Sequence, residues 1–220
     1  MRNCEFRDVG RMGYEEAFAL QQRLVAERKL GRIPDQFLIV EHAHVLTMGR
    51  NGHLENLLVS EEVLRARGVE FCETDRGGDI TYHGPGQVVG YPILDLREWK
   101  RDVVAYVRGL EQALIDALAE FGIAGGRVAG ATGVWVEDRK IAAIGVHLSR
   151  WVTSHGFALN VDTDLSFFRL IVPCGLTKPV TSMAAEGVAA RREEVVAAIK
   201  RQFAKIFEVE ITETELEKVL

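Results

Sequence analysis

The chain has 220 residues, 47% of them hydrophobic, with 27 Lys+Arg against 32 Asp+Glu and a net charge of −5, an ordinary globular composition whose negative balance argues against a general nucleic-acid binder. No apolar run approaches the ~18 residues of a membrane-spanning helix, and the opening Met1–Asp8 mixes both charges where a secretory leader would be basic and then apolar. Three widely spaced cysteines (Cys4, Cys72, Cys174) with no CxxC exclude a disulfide framework and suit a reducing cytosol, so a cytoplasmic protein is expected.

Residues 13–30 carry Tyr14, Ala17, Phe18, Leu24 and Val25 at helical spacing and stop at Gly31, which predicts a helix. The run FLIVEH at 37–42 reads as a buried strand. SEEVLRARG at 60–68 opens on a serine cap and ends on glycine, a short helix, and VEFCET at 69–74 should follow it as a strand. QVVGYPIL at 87–94 is a further strand whose end Pro92 weakens. The clearest helix is 102–121, with Val103, Val104, Val107, Leu110, Leu114, Leu118 and Phe121 on one stripe and Gly122 after it. GVWVEDRKIAAIGVHL at 133–148 has the pattern of a hairpin turning near Glu137–Arg139, HGFALNV at 155–161 adds a strand, and 192–207 is a last amphipathic helix. This order predicts an α+β fold with a mixed or largely antiparallel sheet. Rossmann and P-loop fingerprints are absent. With no repeat or low-complexity linker, a single domain over 1–220 is the simpler expectation.

Three segments carry chemistry. RGGDITYHGPGQVVG at 76–90 places five glycines among Arg, Asp, Thr, Tyr, His and Gln. Glycines let a backbone approach a ligand while the polar residues supply donors, so this reads as a binding loop; the plain alternative is a pair of tight turns joining two strands. Cys174 sits between Pro173 and Gly175, a turn that can present a thiol to a cleft, although a lone cysteine is commonly a small buried hydrophobe. Cys72 in a strand pattern and Cys4 near a terminus are read as structural. Lys140 opens KIAAIGVHL, where strict alternation gives it the face of Ala142, Ile144, Val146 and Leu148, the pattern of a snorkelling strand end. The opposite set, Ile141, Ala143 and Gly145 with Gly156 and Ala158 of the next strand, is small enough to leave room for a thin apolar ligand or for close strand packing. His42 and His44 share an expected strand face, yet no third ligand accompanies them, so no metal is expected. His83, inside the glycine-rich segment, is the stronger candidate. Arg97, Lys100 and Arg101 gather at a helix entry, either a docking patch or a solvated turn.

RGGDITYHGPGQVVGYPILDL (76–96), HGFALNVDTDLSFFRLIVPCGL (155–176) and the GVWVEDRKIAAIGVHL between them closely resemble the octanoyltransferase family, lipoate–protein ligase B. VEH…VLTMGRNG (40–52) resembles its upstream motif and VTSM (180–183) its downstream one. The chain departs at Ala43–His44, where the family commonly has two prolines, outside the catalytic motifs. The resemblance implies the biotin/lipoate protein ligase catalytic-domain fold. It also implies transfer of an octanoyl group from octanoyl-acyl carrier protein to a specific lysine of lipoyl domains, without a cofactor. The acceptors it implies are lipoyl domains of 2-oxoacid dehydrogenase complexes and the glycine cleavage H protein, with neither nucleic acid nor membrane as partner. On this chain the family's acyl-thioester cysteine falls on Cys174 and its pKa-lowering lysine on Lys140. Its acyl-binding segments fall on Arg76, Gly77, Gly78, Asp79, Ile80, Thr81, Tyr82 and His83, on Ala143, Ile144 and Gly145, and on Gly156, Phe157 and Ala158.

The residue types suit that chemistry. A thioester donor is already activated, and a thiolate that attacks it forms a new thioester which an amine converts to an amide. Free cysteine, with a pKa near 8.5, is a few per cent thiolate at neutral pH; an ammonium about 4 Å away contributes roughly 4 kcal/mol at an effective dielectric of 20. The alternatives are an ATP-dependent lipoate or octanoate ligase on the same fold, a thiol hydrolase, and a non-catalytic lipoyl-domain-binding module.

Overall fold

The computed structural model describes residues 2–172 and 178–214. Its main sheet has eight strands. β1 (Arg2–Arg11) leads through helix α1 (Tyr14–Lys29) into β2 (Asp35–Glu41), and the two strands pair in parallel, as a helical crossover requires. Later come β6 (Gln87–Ile93), β7 (Gly126–Val128), β8 (Ala131–Val136), β9 (Arg139–Ser149), β10 (Val152–Asn160) and β11 (Val209–Glu213), giving the order β11-β1-β2-β6-β10-β9-β8-β7. The pairings of β1 with β11 and β2 are parallel, and those from β2 through β7 are antiparallel. A second sheet, β4-β3-β5, is built from β3 (Val45–Met48), β4 (Glu70–Glu73) and β5 (Ile80–His83), with α2 (Glu61–Ala66) beside it. The fold is the expected α+β class.

Helices cover both faces of the main sheet. On one face lie α3 (Val103–Ala119), capped by the Asp102 carboxylate accepting from Ala105 N–H at 3.0 Å, and α4 (Arg192–Phe207). Their Leu110, Leu114, Ile199, Phe203 and Phe207 pack on Phe6, Phe37, Val134, Ile141 and Phe157. Gly109 lets the helices cross closely, since a Cβ there would stand 2.9 Å from the Phe207 ring. On the other face α1 packs Ala17, Leu20 and Leu24 against Leu38, Val40, Val89, Tyr91 and Ala158. Each fully buried Leu or Phe contributes roughly 1.5–3 kcal/mol, so these two layers hold the sheet rigid beneath the site.

The helices at 14–29, 61–66, 103–119 and 192–207 match the sequence expectations to within about two residues at each end. β1 was not expected. Its Cys4 and Phe6 point inward, but Arg7 is buried too, bonded to Glu5 at 2.6 Å and to the Gln36 side chain, and that charge hides the alternation. Residues 80–83, expected as loop, form β5, paired antiparallel with β3. Pro92 lies within β6 beyond Gly90, where the ladder to β10 ends, so its missing N–H breaks no bond to that neighbour.

Candidate active site

β9 carries the decisive irregularity. Its register against β8 runs Val134↔Ala142 and then Trp135↔Lys140, a bulge that leaves Ile141 without an opposite number. Cross-strand partners share a face, so Lys140 points to the side of Trp135 while Ala142 stays with Val134 in the core beneath α3. The alternation expected from sequence, with Lys140 beside Ala142, Ile144, Val146 and Leu148, is therefore wrong by one residue. The extra residue turns Lys140 onto the face of Ala143 and Gly145. A Cβ on Gly133 would lie 3.5 Å from Lys140 Cε, and the Lys140 ammonium stands 4.8 Å from the Trp135 ring centroid, with the Lys178 ammonium 5.2 Å from the same ring.

On that face lies a narrow cavity. Its floor crosses three strands: Ala143 and Gly145 of β9, Gly156 and Ala158 of β10, Val89 and Tyr91 of β6. Its other walls are Arg76, Gly77, Gly78, Thr81, His83, His155 and Tyr14. Ile144 and Phe157 border it as well, although their side chains join the opposite core. The small residues are required by close approach. A Cβ on Gly145 would come within 2.9 Å of Gly77 O, and one on Gly156 would collide with Gly90 O. Gly77 N–H donates to Val146 O at 2.9 Å, fastening the 76–78 turn to β9. The Arg76 guanidinium is buried and donates to both Thr47 oxygens and to Gly77 O, and Gly78 takes φ +86°, open to glycine at little cost.

Alternation within β5 turns Thr81 and His83 to the cavity and Ile80 and Tyr82 away from it, while Arg76, Gly77 and Gly78 reach it from the turn before the strand. Arg76, Gly77, Gly78, Thr81 and His83 line the cavity; Asp79, Ile80 and Tyr82 do not. Asp79 accepts from the backbone of His53 and Ile80 and from the Asn56 amide, organising the neighbouring loop. Ile80 and Tyr82 belong to the apolar cluster of the small sheet, where the Tyr82 hydroxyl meets His44 Nδ1 at 2.7 Å. Those three residues, expected within the acyl-binding segments, lie outside the cavity lining.

The histidines around the cavity are held neutral. Burial, with His42 next to it, pushes the His83 pKa down to about 3, and burial takes His42 to about 4. His42 Nδ1–H donates to Met12 O at 2.8 Å, which leaves Nε2 to accept from the Tyr91 hydroxyl at 2.7 Å. His83 Nδ1–H donates to Gln87 Oε1 at 2.8 Å; Gln87 in turn donates to Asn160 Oδ1 at 2.9 Å, and Asn160 donates to Thr181 O at 2.9 Å. That chain ends beside Lys140, whose carbonyl accepts from Thr181 N–H at 2.9 Å and whose N–H donates to Pro179 O at 2.9 Å. On the other flank His155, held at φ +56°, donates from Nε2–H to Asp75 at 2.6 Å. Burial lowers the His155 pKa, and although burial alone would raise that of Asp75, the hydrogen bond holds this carboxyl below its ordinary value.

Cys174 lies outside the described residues. The chain on either side of it is fastened: Val172 N–H donates to Asn56 O at 2.8 Å, and Pro179 and Thr181 clasp the Lys140 backbone. Cys4 is buried, with its thiol pKa pushed far up by desolvation, and Cys72 is half-buried with its thiol raised for the same reason. His42 and His44 go to different clusters, and among the described residues no group of three or more His, Cys, Asp or Glu is placed to hold a metal ion. Nor, among those residues, is any helix long and apolar enough to cross a membrane. The Arg97–Arg101 patch loses Arg97, which is bound to buried Asp95. It also sits by Val152, at the end of β10 opposite Asn160 and roughly 26 Å away along an extended strand. Tyr14, Val89, Tyr91 and His155 were not foreseen as cavity residues. In the sequence Tyr14 belongs to an apolar helix stripe, and nothing in its spacing separates it from Ala17 or Leu24.

A profile of the Lipoyl protein ligase A/B catalytic domain matches residues 13–204. The octanoyltransferase of Solibacter usitatus is 64% identical over 211 residues, covering 96% of each chain. In fold, the chain is similar to a structure of an archaeal lipoylation system from Thermoplasma acidophilum, a bi-partite lipoate protein ligase and its E2 lipoyl domain. The TM-score is 0.77 at 16% identity, over 99% of this chain and 89% of that one. It is also similar to biotin protein ligase from Aquifex aeolicus, with TM-score 0.53 at 12% identity over 94% and 70% of the two chains.

Proposed function

The chain belongs to the octanoyltransferases of the lipoyl protein ligase A/B catalytic-domain family and is an acyltransferase; from that premise we propose that it moves an octanoyl group from acyl carrier protein to a lysine of lipoyl domains through a thioester on Cys174. The acceptors are lipoyl domains of 2-oxoacid dehydrogenase complexes and the glycine cleavage H protein, the 1–220 chain works as one catalytic domain, and the setting is the cytosol. The observation that carries the reading is the bulge at Ile141. It brings Lys140 to the cavity face, and the hydrogen bonds from Lys140 to Pro179 and Thr181 tie the chain just beyond Cys174 to the lysine's own backbone.

In the first half-reaction the Cys174 thiolate attacks the donor's thioester carbonyl, the new C–S bond forms, the carrier's C–S bond breaks, and the carrier leaves as a thiol with the proton that Lys140 gives up. The Lys140 ammonium stabilises that thiolate. In the second, the acceptor's lysine amine attacks the Cys174 thioester, the C–S bond breaks as the amide forms, and Cys174 leaves as thiolate. Neutral Lys140 takes the proton the attacking amine gives up. The octanoyl tail occupies the cavity across β9, β10 and β6. Burial of its methylenes contributes about 0.8 kcal/mol each. Arg76, Gly77, Gly78, Thr81 and His83 cover the tail, and Ala143, Gly145, Gly156 and Ala158 bear it. His83 and His42 stay neutral, so neither adds a charge beside the apolar tail.

Incubation with octanoyl-acyl carrier protein and a lipoyl domain tests this. Octanoyl-lysine should form at the same rate with and without ATP; formation only with ATP and free octanoate would make the protein a ligase instead.

A further inference from the structure

Beyond the cavity lies a second, wider groove, walled by Leu64 of α2 and by Val69, Phe71 and Cys72 around β4, with Glu15, Glu61 and Glu70 on its rim. Tyr14 alone among the described residues lines both spaces. We propose that the Tyr14 ring is the end wall of the acyl cavity and sets the longest acyl chain the enzyme transfers. The inference rests on the reading of the cavity as the acyl site.

The cavity crosses the sheet, from Ala143 and Gly145 on β9 over Gly156 and Ala158 on β10 to Val89 and Tyr91 on β6. Two strand spacings make that about 10 Å. An extended octanoyl chain, seven C–C bonds of about 1.5 Å laid along a zigzag, spans about 9 Å. Lys140 stands on the β9 side, so the reacting carbonyl enters there and the methyl end arrives past β6. Tyr14 waits at that point. Its ring lies parallel to His83 at 6.1 Å, 5.3 Å from His42 and 6.4 Å from Phe18, and it is 3% exposed. A ring held from several sides cannot swing away for a longer chain, and the space behind it has an apolar floor.

Each methylene that gains apolar cover is worth about fourfold in affinity. Four extra methylenes therefore give at most about 250-fold, and an open groove supplies only part of that. The experiment compares kcat/KM for dodecanoyl- and octanoyl-acyl carrier protein in wild type, Tyr14→Ala, Tyr14→Leu and Tyr14→Phe. The dodecanoyl-to-octanoyl ratio should rise at least tenfold in Tyr14→Ala and by less in Tyr14→Leu. In Tyr14→Phe, which keeps the ring, it should stay within about threefold of wild type. A ratio unmoved in both the Ala and Leu variants, or raised equally in the Phe variant, overturns the proposal. Calorimetric binding of free octanoate and dodecanoate to the same proteins gives an arm that needs no turnover. Tighter dodecanoate binding in Tyr14→Ala supports the wall even if no acyl transfer occurs, whereas absent transfer in wild type would refute the proposed function alone.

Discussion

Gly145→Ala probes the joint between β9 and the turn that covers the cavity. The added methyl would stand 2.9 Å from Gly77 O and 3.2 Å from Arg76 Cδ. Real Cβ–oxygen contacts sit several tenths of an ångström further out, so something must move. β9 cannot, because it is paired on both sides, with β8 and β10. The 76–78 turn yields instead, stretching the 2.9 Å bond from Gly77 N–H to Val146 O and shifting the Arg76 guanidinium on Thr47. Overpacking of this kind costs roughly 1–3 kcal/mol, which for a chain of this size lowers Tm by about 2–12 °C. Displacing the cavity cover by a fraction of an ångström should lower kcat/KM for octanoyl transfer by roughly tenfold, since misplacements near 1 Å cost about a hundredfold. Gly126→Ala is the control, because nothing lies within 4 Å of a Cβ there. Thermal melts and steady-state transfer rates on the two variants decide the matter. If Gly145→Ala matched Gly126→Ala in both, the turn would not rest on β9 as described.

Further outcomes follow from the same geometry. His42 and His83 are held neutral with pKa values near 4 and 3, below the ~6.5 of an unfolded histidine. Their contribution to stability is therefore full above pH 6.5 and lost as pH falls, by on the order of 2 kcal/mol per histidine at pH 5. Urea denaturation at pH 7 and pH 5 should show that drop, and His42→Gln together with His83→Gln should flatten it. Asn160→Ala leaves the Gln87 amide and Thr181 O without their buried partner, which should cost roughly 1–3 kcal/mol by denaturation and slow octanoyl transfer. Lys140→Arg keeps a cation but cannot release a proton at working pH. It should retain part of the acylation of Cys174 and lose most of the transfer to a lipoyl domain, whereas Lys140→Met should slow both, as single-turnover kinetics would resolve.

The helices and central strands were legible because their apolar periodicity is clean: Leu110, Leu114 and Leu118 in α3, FLIV in β2. The strands missed were those in which tertiary partners overrule the pattern. Arg7 hides β1 by being buried in an ion pair with Glu5, and the three-residue β7 and four-residue β3 are too short for a period to show. The glycine-rich 76–90 segment reads as a binding loop from sequence, and six of the residues lining the cavity come from it. Sequence could not tell that β5 alternation sends Ile80 and Tyr82 away from it, or that the loop at His53 and Asn56 holds Asp79. The bulge at Ile141 was invisible for a different reason. Its neighbours Ile141 and Ala142 are both apolar, so the run reads equally well in either register, and only pairing with Trp135 fixes which face Lys140 takes. Tyr14 and His155 were missed because their roles arise from the packing of α1 and of the 76–83 segment on the sheet.

The central claim is a Cys174 acyl-enzyme, and intact-mass spectrometry of the protein mixed with octanoyl-acyl carrier protein in the absence of acceptor tests it most directly. Wild type should carry one octanoyl group, mapped to Cys174, removed by hydroxylamine, discharged onto an added lipoyl domain without ATP, and missing from Cys174→Ala. Transfer at the wild-type rate by Cys174→Ala, or an octanoyl group that stays on Cys174 when the lipoyl domain is added, would contradict it.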